Sequence, residues 1–137
     1  LTTLADLRLI ILDPLQPLCA LDLNVPENAQ FVCSRLAALA ATTSASVIVS
    51  HHFAKREAST PEQAREAIRG TGGLVDGVRS VYALWNPRED QAKAICKALG
   101  EPFERGRVVM GGVVKANGRA NLRVTTFLRD SRGLLVD

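Results

Sequence analysis

The stretch Leu7-Arg8-Leu9-Ile10-Ile11-Leu12-Asp13-Pro14-Leu15 is an apolar run of strand length that closes on an aspartate and is stopped by a proline. A second short run, Ser46-Val47-Ile48-Val49-Ser50, leads directly into His51-His52-Phe53-Ala54-Lys55. Continuous apolar runs of this kind are the pattern of parallel strands covered on both faces. Between them lies a turn-rich segment with Asn24, Pro26, Glu27 and Asn28. Residues 29–41 then become rich in alanine and leucine, with Phe31, Leu36 and Leu39 at near-helical spacing. Strand, helix and strand predict one right-handed parallel unit. In an open α/β sheet, ligands bind beyond the carboxyl ends of the strands, so Asp13 and the histidine pair are expected to face one crevice.

Residues 53–60 are polar and unpatterned, a loop. Pro61 with Glu62 and Glu66 marks a helix start, since proline suits the first turn and carboxylates suit the positive end of the dipole. Arg69-Gly70-Thr71-Gly72-Gly73 breaks that helix, and its glycines permit backbone shapes or close approaches that other residues resist. A short helical turn at 74–77, a third strand at 78–84 and a surface helix at 88–99 stopped by Gly100 follow. From Arg107 the chain becomes β-branched, in runs 107–115, 121–128 and 133–136. These are separated by Gly118 and by Asp130-Ser131-Arg132-Gly133, which predicts hairpins. The expected architecture is α/β: a mostly parallel sheet with flanking helices, finished by antiparallel C-terminal edge strands.

At 137 residues and 47% hydrophobic composition the chain can bury one core. No run approaches the ~18 apolar residues of a membrane helix, and the N-terminus lacks a basic region followed by an apolar core. A soluble, cytoplasmic protein with no membrane partner is expected. Cys19, Cys33 and Cys96 are odd in number and widely spaced, which argues against a disulfide framework or zinc knuckle and for small buried hydrophobes. The net charge of +3 is unevenly spread: residues 1–50 hold two basic and four acidic side chains, residues 101–137 seven and four. Arg105, Arg107, Lys115, Arg119, Arg123, Arg129 and Arg132 predict a basic face that could meet a polyanion, against the ordinary reading of a solvated surface. Trp85 and the few other aromatics are not interleaved along the chain, which disfavours a single-strand-binding module of the stacking type.

Asp13 has two readings. A carboxylate at the end of a buried strand is costly unless paired, hydrogen-bonded or metal-bound, and it suits magnesium in phosphate chemistry; otherwise it caps the following turn. His51 and His52 point to opposite sides of an extended backbone, which argues against a two-histidine metal site and leaves one to sense a phosphate while the other packs below. Lys55 adds a cation to the same loop. Arg69 is a candidate to stabilise charge on a transferred phosphoryl group, or else a helix-terminal arginine binding carbonyls. Asp76 and Arg79, three apart, read as a structural ion pair. Lys115-Ala116-Asn117-Gly118-Arg119 closes a strand with two cations at an Asn-Gly type of hairpin, a turn that does not account for Lys115.

In order along residues 7–119, Leu12-Asp13-Pro14-Leu15, Glu27-Asn28, His51-His52-x-x-Lys55, Arg69-Gly70-Thr71-x-x-Leu74-Val75-Asp76-x-x-Arg79 and Lys115-Ala116-Asn117 resemble the back part of RecA-like ATPases. The nearest likeness is to RepA-type replicative helicases of plasmids and their phage and mobile-element relatives. The resemblance implies that Asp13 is the acid organising magnesium and water, and that His51 or His52, with His52 favoured, senses the γ-phosphate. It implies that Arg69 and Lys115 reach a neighbouring subunit's nucleotide. The loop with Lys55 and Arg56 and the glycine loop with Gly70, Thr71 and Gly72 would face single-stranded DNA in the channel of a ring, expected to be a hexamer. ATP and Mg2+ are the implied cofactors. The Gly-x-x-x-x-Gly-Lys-Ser/Thr phosphate loop and the water-activating acid of such enzymes are not among these 137 residues. The chain is therefore expected to be the C-terminal portion of the domain, beginning just before the acid-bearing strand and binding ATP poorly by itself; a non-catalytic remnant that binds DNA or a partner is the alternative.

Overall fold

The computed structural model describes residues 6–52, 57–68 and 72–136. They form, in order, β1 (Leu9–Leu12), a single 3-10 turn (Gln16–Leu18), α1 (Pro26–Thr43), β2 (Ser46–Val49), α2 (Pro61–Ala67), α3 (Gly72–Gly77), β3 (Ser80–Trp85), α4 (Glu89–Leu99), β4 (Val108–Ala116), β5 (Thr125–Arg129) and β6 (Leu135–Val136). The chain is mixed α/β and divides into two compact units, one of residues 6–52 and 72–78, the other of 57–68 and 79–136. No helix among the described residues is long and apolar enough to cross a membrane.

In the first unit β1 and β2 pair in parallel, Leu9 opposite Ser46 through Leu12 opposite Val49. The connection is α1, which Pro26 starts at a position where its missing N–H costs nothing and which ends at Ser44 in a left-handed conformation. The inward stripe of α1 is Ala29, Val32, Cys33 and Leu36, the i, i+3, i+4, i+7 set. Phe31 and Leu39, expected on that stripe, are exposed, because they lie off the 3.6-residue register that starts at Ala29. Leu12 and Val49 pack against this stripe with Leu15, Leu23 and Leu74. The strands are covered on one face: Leu9, Ile11 and Ile48 alternate to the other and are exposed, where burial on both faces was expected.

α3 lies close to α1 because Gly73 and Gly77, four apart on one face of the short helix, carry no side chain there. A Cβ on Gly73 would meet Ala29 Cβ at 2.9 Å, and one on Gly77 would meet Cys33 Sγ at 2.5 Å.

The second unit is a four-stranded sheet in the order β3-β4-β5-β6, antiparallel throughout. The hairpin character of the C-terminal strands is as the turn residues predict. The expectation of a mostly parallel sheet is corrected: among the described residues the only parallel pairing is β1 with β2, and β3 runs antiparallel to β4. The spacing strand, helix, strand suggests a crossover there. The eight residues 100–107 after α4 can instead span about 26 Å when extended, more than the ~16 Å length of α4, so the chain can return and enter the sheet reversed. Gly100 and Gly106, both at positive φ, make the bends at either end of that segment. On one sheet face Ala83, Trp85 and Val108 are buried, and Ala92 and Cys96 of α4 pack on Val108.

The turn between β4 and β5 is longer than the Asn-Gly hairpin expected. β4 continues to Ala116 opposite Ser80, whereas its pairing with β5 stops at Gly111 opposite Thr125, so residues 117–124 must bridge the difference. Asp130 closes the last turn: its carboxylate accepts from the backbone N–H groups of Arg132 (2.9 Å) and Leu134 (2.8 Å), and these hydrogen bonds, Leu134's first, hold it below the usual carboxylate range.

Candidate functional site

The parallel register of β1 and β2 brings the first residue beyond each strand together. Asp13 follows Leu12 and Ser50 follows Val49, and the Ser50 hydroxyl donates to Asp13 Oδ1. The backbone fastens this end of the pair: Ser50 N–H donates to Leu12 O and Leu15 N–H donates to Ser50 O, both at 2.9 Å. The peptide bond between Asp13 and Pro14 is cis. Asp13 is exposed, with its second carboxylate oxygen directed to no protein donor among the described residues. The acid is thus held by a neutral hydroxyl at the carboxyl edge of the parallel pair, where α/β sheets place ligands.

His51 and His52 continue from Ser50. His51 is half-buried and its Nδ1 has no hydrogen-bond partner among the described residues, while His52 is exposed. Burial, and secondarily the charge of His52, push the His51 imidazole below its ordinary value of 6.5, so it is neutral near neutral pH. A base whose folded pKa is lowered binds fewer protons folded than unfolded. Its contribution to stability is therefore present above pH 6.5 and is lost as the pH falls through 6.5 toward the folded value. Melting between about pH 7.5 and pH 5.5 should accordingly lower the Tm of the wild-type chain more than that of His51→Gln, in which this linkage is gone. Equal slopes in the two chains would refute the burial of His51.

Asp13, Ser50, His51 and His52 gather in the first unit. Gly72 opens α3 in the same unit, and a Cβ there would meet no atom of the described residues within 4 Å. Lys115 stands in the second unit, in β4 opposite Val81. Lys55, Arg56, Arg69, Gly70 and Thr71 lie outside the described residues. No cluster of three or more His, Cys, Asp or Glu that could hold a metal occurs among the described residues.

Ser50 is the site residue that sequence reasoning missed. The signal was present: two apolar strands of equal length, each followed at once by a polar residue, bring those residues side by side if the strands pair in register. A scan against protein-family models finds no match, and a search of curated proteins likewise finds none.

Proposed function

We propose that residues 1–137 are the C-terminal portion of a RecA-like ATPase domain of the kind found in RepA-type, ring-forming replicative DNA helicases. The observation that carries the reading is the Asp13–Ser50 pair at the carboxyl ends of two adjacent parallel strands, continued by His51 and His52. In this reading Asp13 organises magnesium and the attacking water. Ser50 fixes the rotamer of Asp13 without neutralising its charge. His52, the exposed member of the pair, reaches the γ-phosphate, and neutral His51 packs beneath it. An exposed carboxylate beside a hydroxyl is an all-oxygen donor set, which fits magnesium; the ion supplies charge neutralisation on the phosphates.

Arg69 and Lys115 are assigned to the nucleotide of a neighbouring subunit in a hexameric ring. Lys55, Arg56, Gly70, Thr71 and Gly72 are assigned to single-stranded DNA in its channel. Phosphate grip depends on a glycine-rich loop and its lysine, which these residues do not include. The test is therefore made on the complete gene product that contains residues 1–137: Mg-ATP turnover, with and without single-stranded DNA. Turnover stimulated by DNA supports the motor. Absence of turnover sinks it in favour of a non-catalytic binding module, a reading favoured by one observation: the second unit carries twelve basic and eight acidic side chains among its described residues.

A further inference from the structure

We propose that the face of the β3-β4-β5 sheet that carries Tyr82, Leu84 and Phe127 is a binding platform for single-stranded nucleic acid, on which bases stack against Tyr82 and Phe127 while Arg79, Arg119 and Arg123 hold phosphates.

The platform follows from register. Leu84 lies opposite Gly111, and Gly111 opposite Thr125. Tyr82 is two residues before Leu84 and Phe127 two after Thr125, so all five share one face of the sheet. Trp85 and Ala83, one residue out of phase, take the buried face. The two rings converge over a floor without a side chain. A Cβ on Gly111 would meet the Tyr82 hydroxyl at 2.6 Å and Phe127 Cε2 at 2.8 Å, so each ring leans across β4 and lies over its backbone. A tyrosine held this way and still 54% exposed offers a flat aromatic surface to solvent, with Leu84 beside it 44% exposed.

Charge selects the occupant. The first unit holds two basic and five acidic side chains among its described residues, the second twelve and eight, so the net positive charge lies in the unit that contains this sheet. At one end of the face, the Asn117 N–H donates to the Arg79 carbonyl at 2.9 Å, which sets Arg79 beside the loop 117–124 that carries Arg119 and Arg123. Arg119 and Arg123 are exposed, and none of the three arginines is paired with a carboxylate among the described residues. Tyr82 is three residues beyond Arg79, about 10 Å along the strand, within the combined reach of an arginine and one nucleotide. Aromatic rings on a sheet beside unpaired cations suit a single strand, whose bases are free to stack, and not a duplex, whose bases are already stacked. Tyr82 and Phe127 are remote in sequence and reach one face only through two antiparallel pairings, so their order along the chain gives no sign of a shared aromatic surface.

The experiment is fluorescence anisotropy of labelled oligo-dT and oligo-U with the 137-residue chain, without nucleotide, beside a duplex of equal length. Its failure is independent of the ATPase reading, which is judged by turnover. Either single strand should bind more tightly than the duplex. Tyr82→Ala should weaken binding by about 5-fold or more, the loss expected for one stacked base, while Tyr82→Phe keeps the ring and binds as wild type. The double substitution Arg119→Gln with Arg123→Gln should reduce the slope of log affinity against log salt by about 1.4. No binding of either strand, equal affinity for duplex, or unchanged affinity of a Tyr82→Ala chain that melts as wild type would overturn the proposal.

Discussion

Asp13→Asn in the complete gene product should lower Mg-ATP turnover by about 100-fold or more, with the melting temperature close to wild type. Asparagine has the shape of aspartate and keeps an oxygen that can accept from the Ser50 hydroxyl, so the fastening between the ends of β1 and β2 survives. What it loses is the negative charge. In phosphoryl transfer the protein contributes positioning and electrostatics, and the loss of one preorganised electrostatic partner is commonly worth 10²- to 10³-fold in rate. Ser50→Ala should cost less, about tenfold at most, since it removes one hydrogen bond that orients the acid and leaves the charge in place. The order of the two effects discriminates between the readings of Asp13. An acid that merely caps the turn after β1 would give both variants normal turnover, and turnover of Asp13→Asn within twofold of wild type would end the catalytic assignment. Steady-state ATP hydrolysis with a parallel thermal melt is the required measurement.

The parts of the molecule legible in its sequence are those decided by neighbours along the chain. The run Leu9–Leu12, the proline at the start of α1 and the run Ser46–Val49 together specify a parallel pair, because each element is set by local apolar pattern and one connection. Asp130 and Gly133 likewise announce the final turn, where the carboxylate caps two N–H groups and Gly133 takes positive φ. Gly100 stops α4 in the same local way. What escapes is decided across the chain. The partner of β3 depends on how the segment 100–107 returns, and no residue there distinguishes a parallel from an antiparallel entry.

The same division runs through the candidate site. Asp13 and the histidines stand out because a polar residue ending an apolar strand is a local anomaly. Ser50 does not stand out, since a serine after a strand is ordinary, and its role appears only when the register Leu12 opposite Val49 is known. Phe31 falls off the inward face because near-helical spacing admits more than one stripe on an alanine-rich helix. The small residues Ala29 and Cys33 win the inward face because they permit the closest approach of another backbone.

That close approach predicts opposite outcomes for two glycines in one helix. Gly77→Ala places a methyl 2.5 Å from Cys33 Sγ and 2.6 Å from Cys33 Cβ, where carbon contacts normally sit at about 3.5 to 4.0 Å. Cys33 is buried on α1 and cannot swing away, so α3 must retreat by roughly 1 Å, pulling Leu74 from its place against Leu15, Leu23 and Val32. Overpacking of this kind costs about 1 to 3 kcal/mol, or a fall in Tm on the order of 5 to 10 °C for a chain of this size. Adding Cys33→Ala should restore only part of the loss, because the Cys33 Cβ obstructs the new methyl nearly as closely as the sulfur does. Gly72→Ala meets nothing within 4 Å and sits in the same helix. There alanine replaces a residue that is less favourable in a helix by about 0.5 to 1 kcal/mol, so Tm should hold or rise by a few degrees. Thermal unfolding of the two single variants, followed by circular dichroism, decides the matter. A Gly77→Ala chain as stable as Gly72→Ala would mean that α3 does not lie against α1, and that Cys33 owes its burial to some other neighbour.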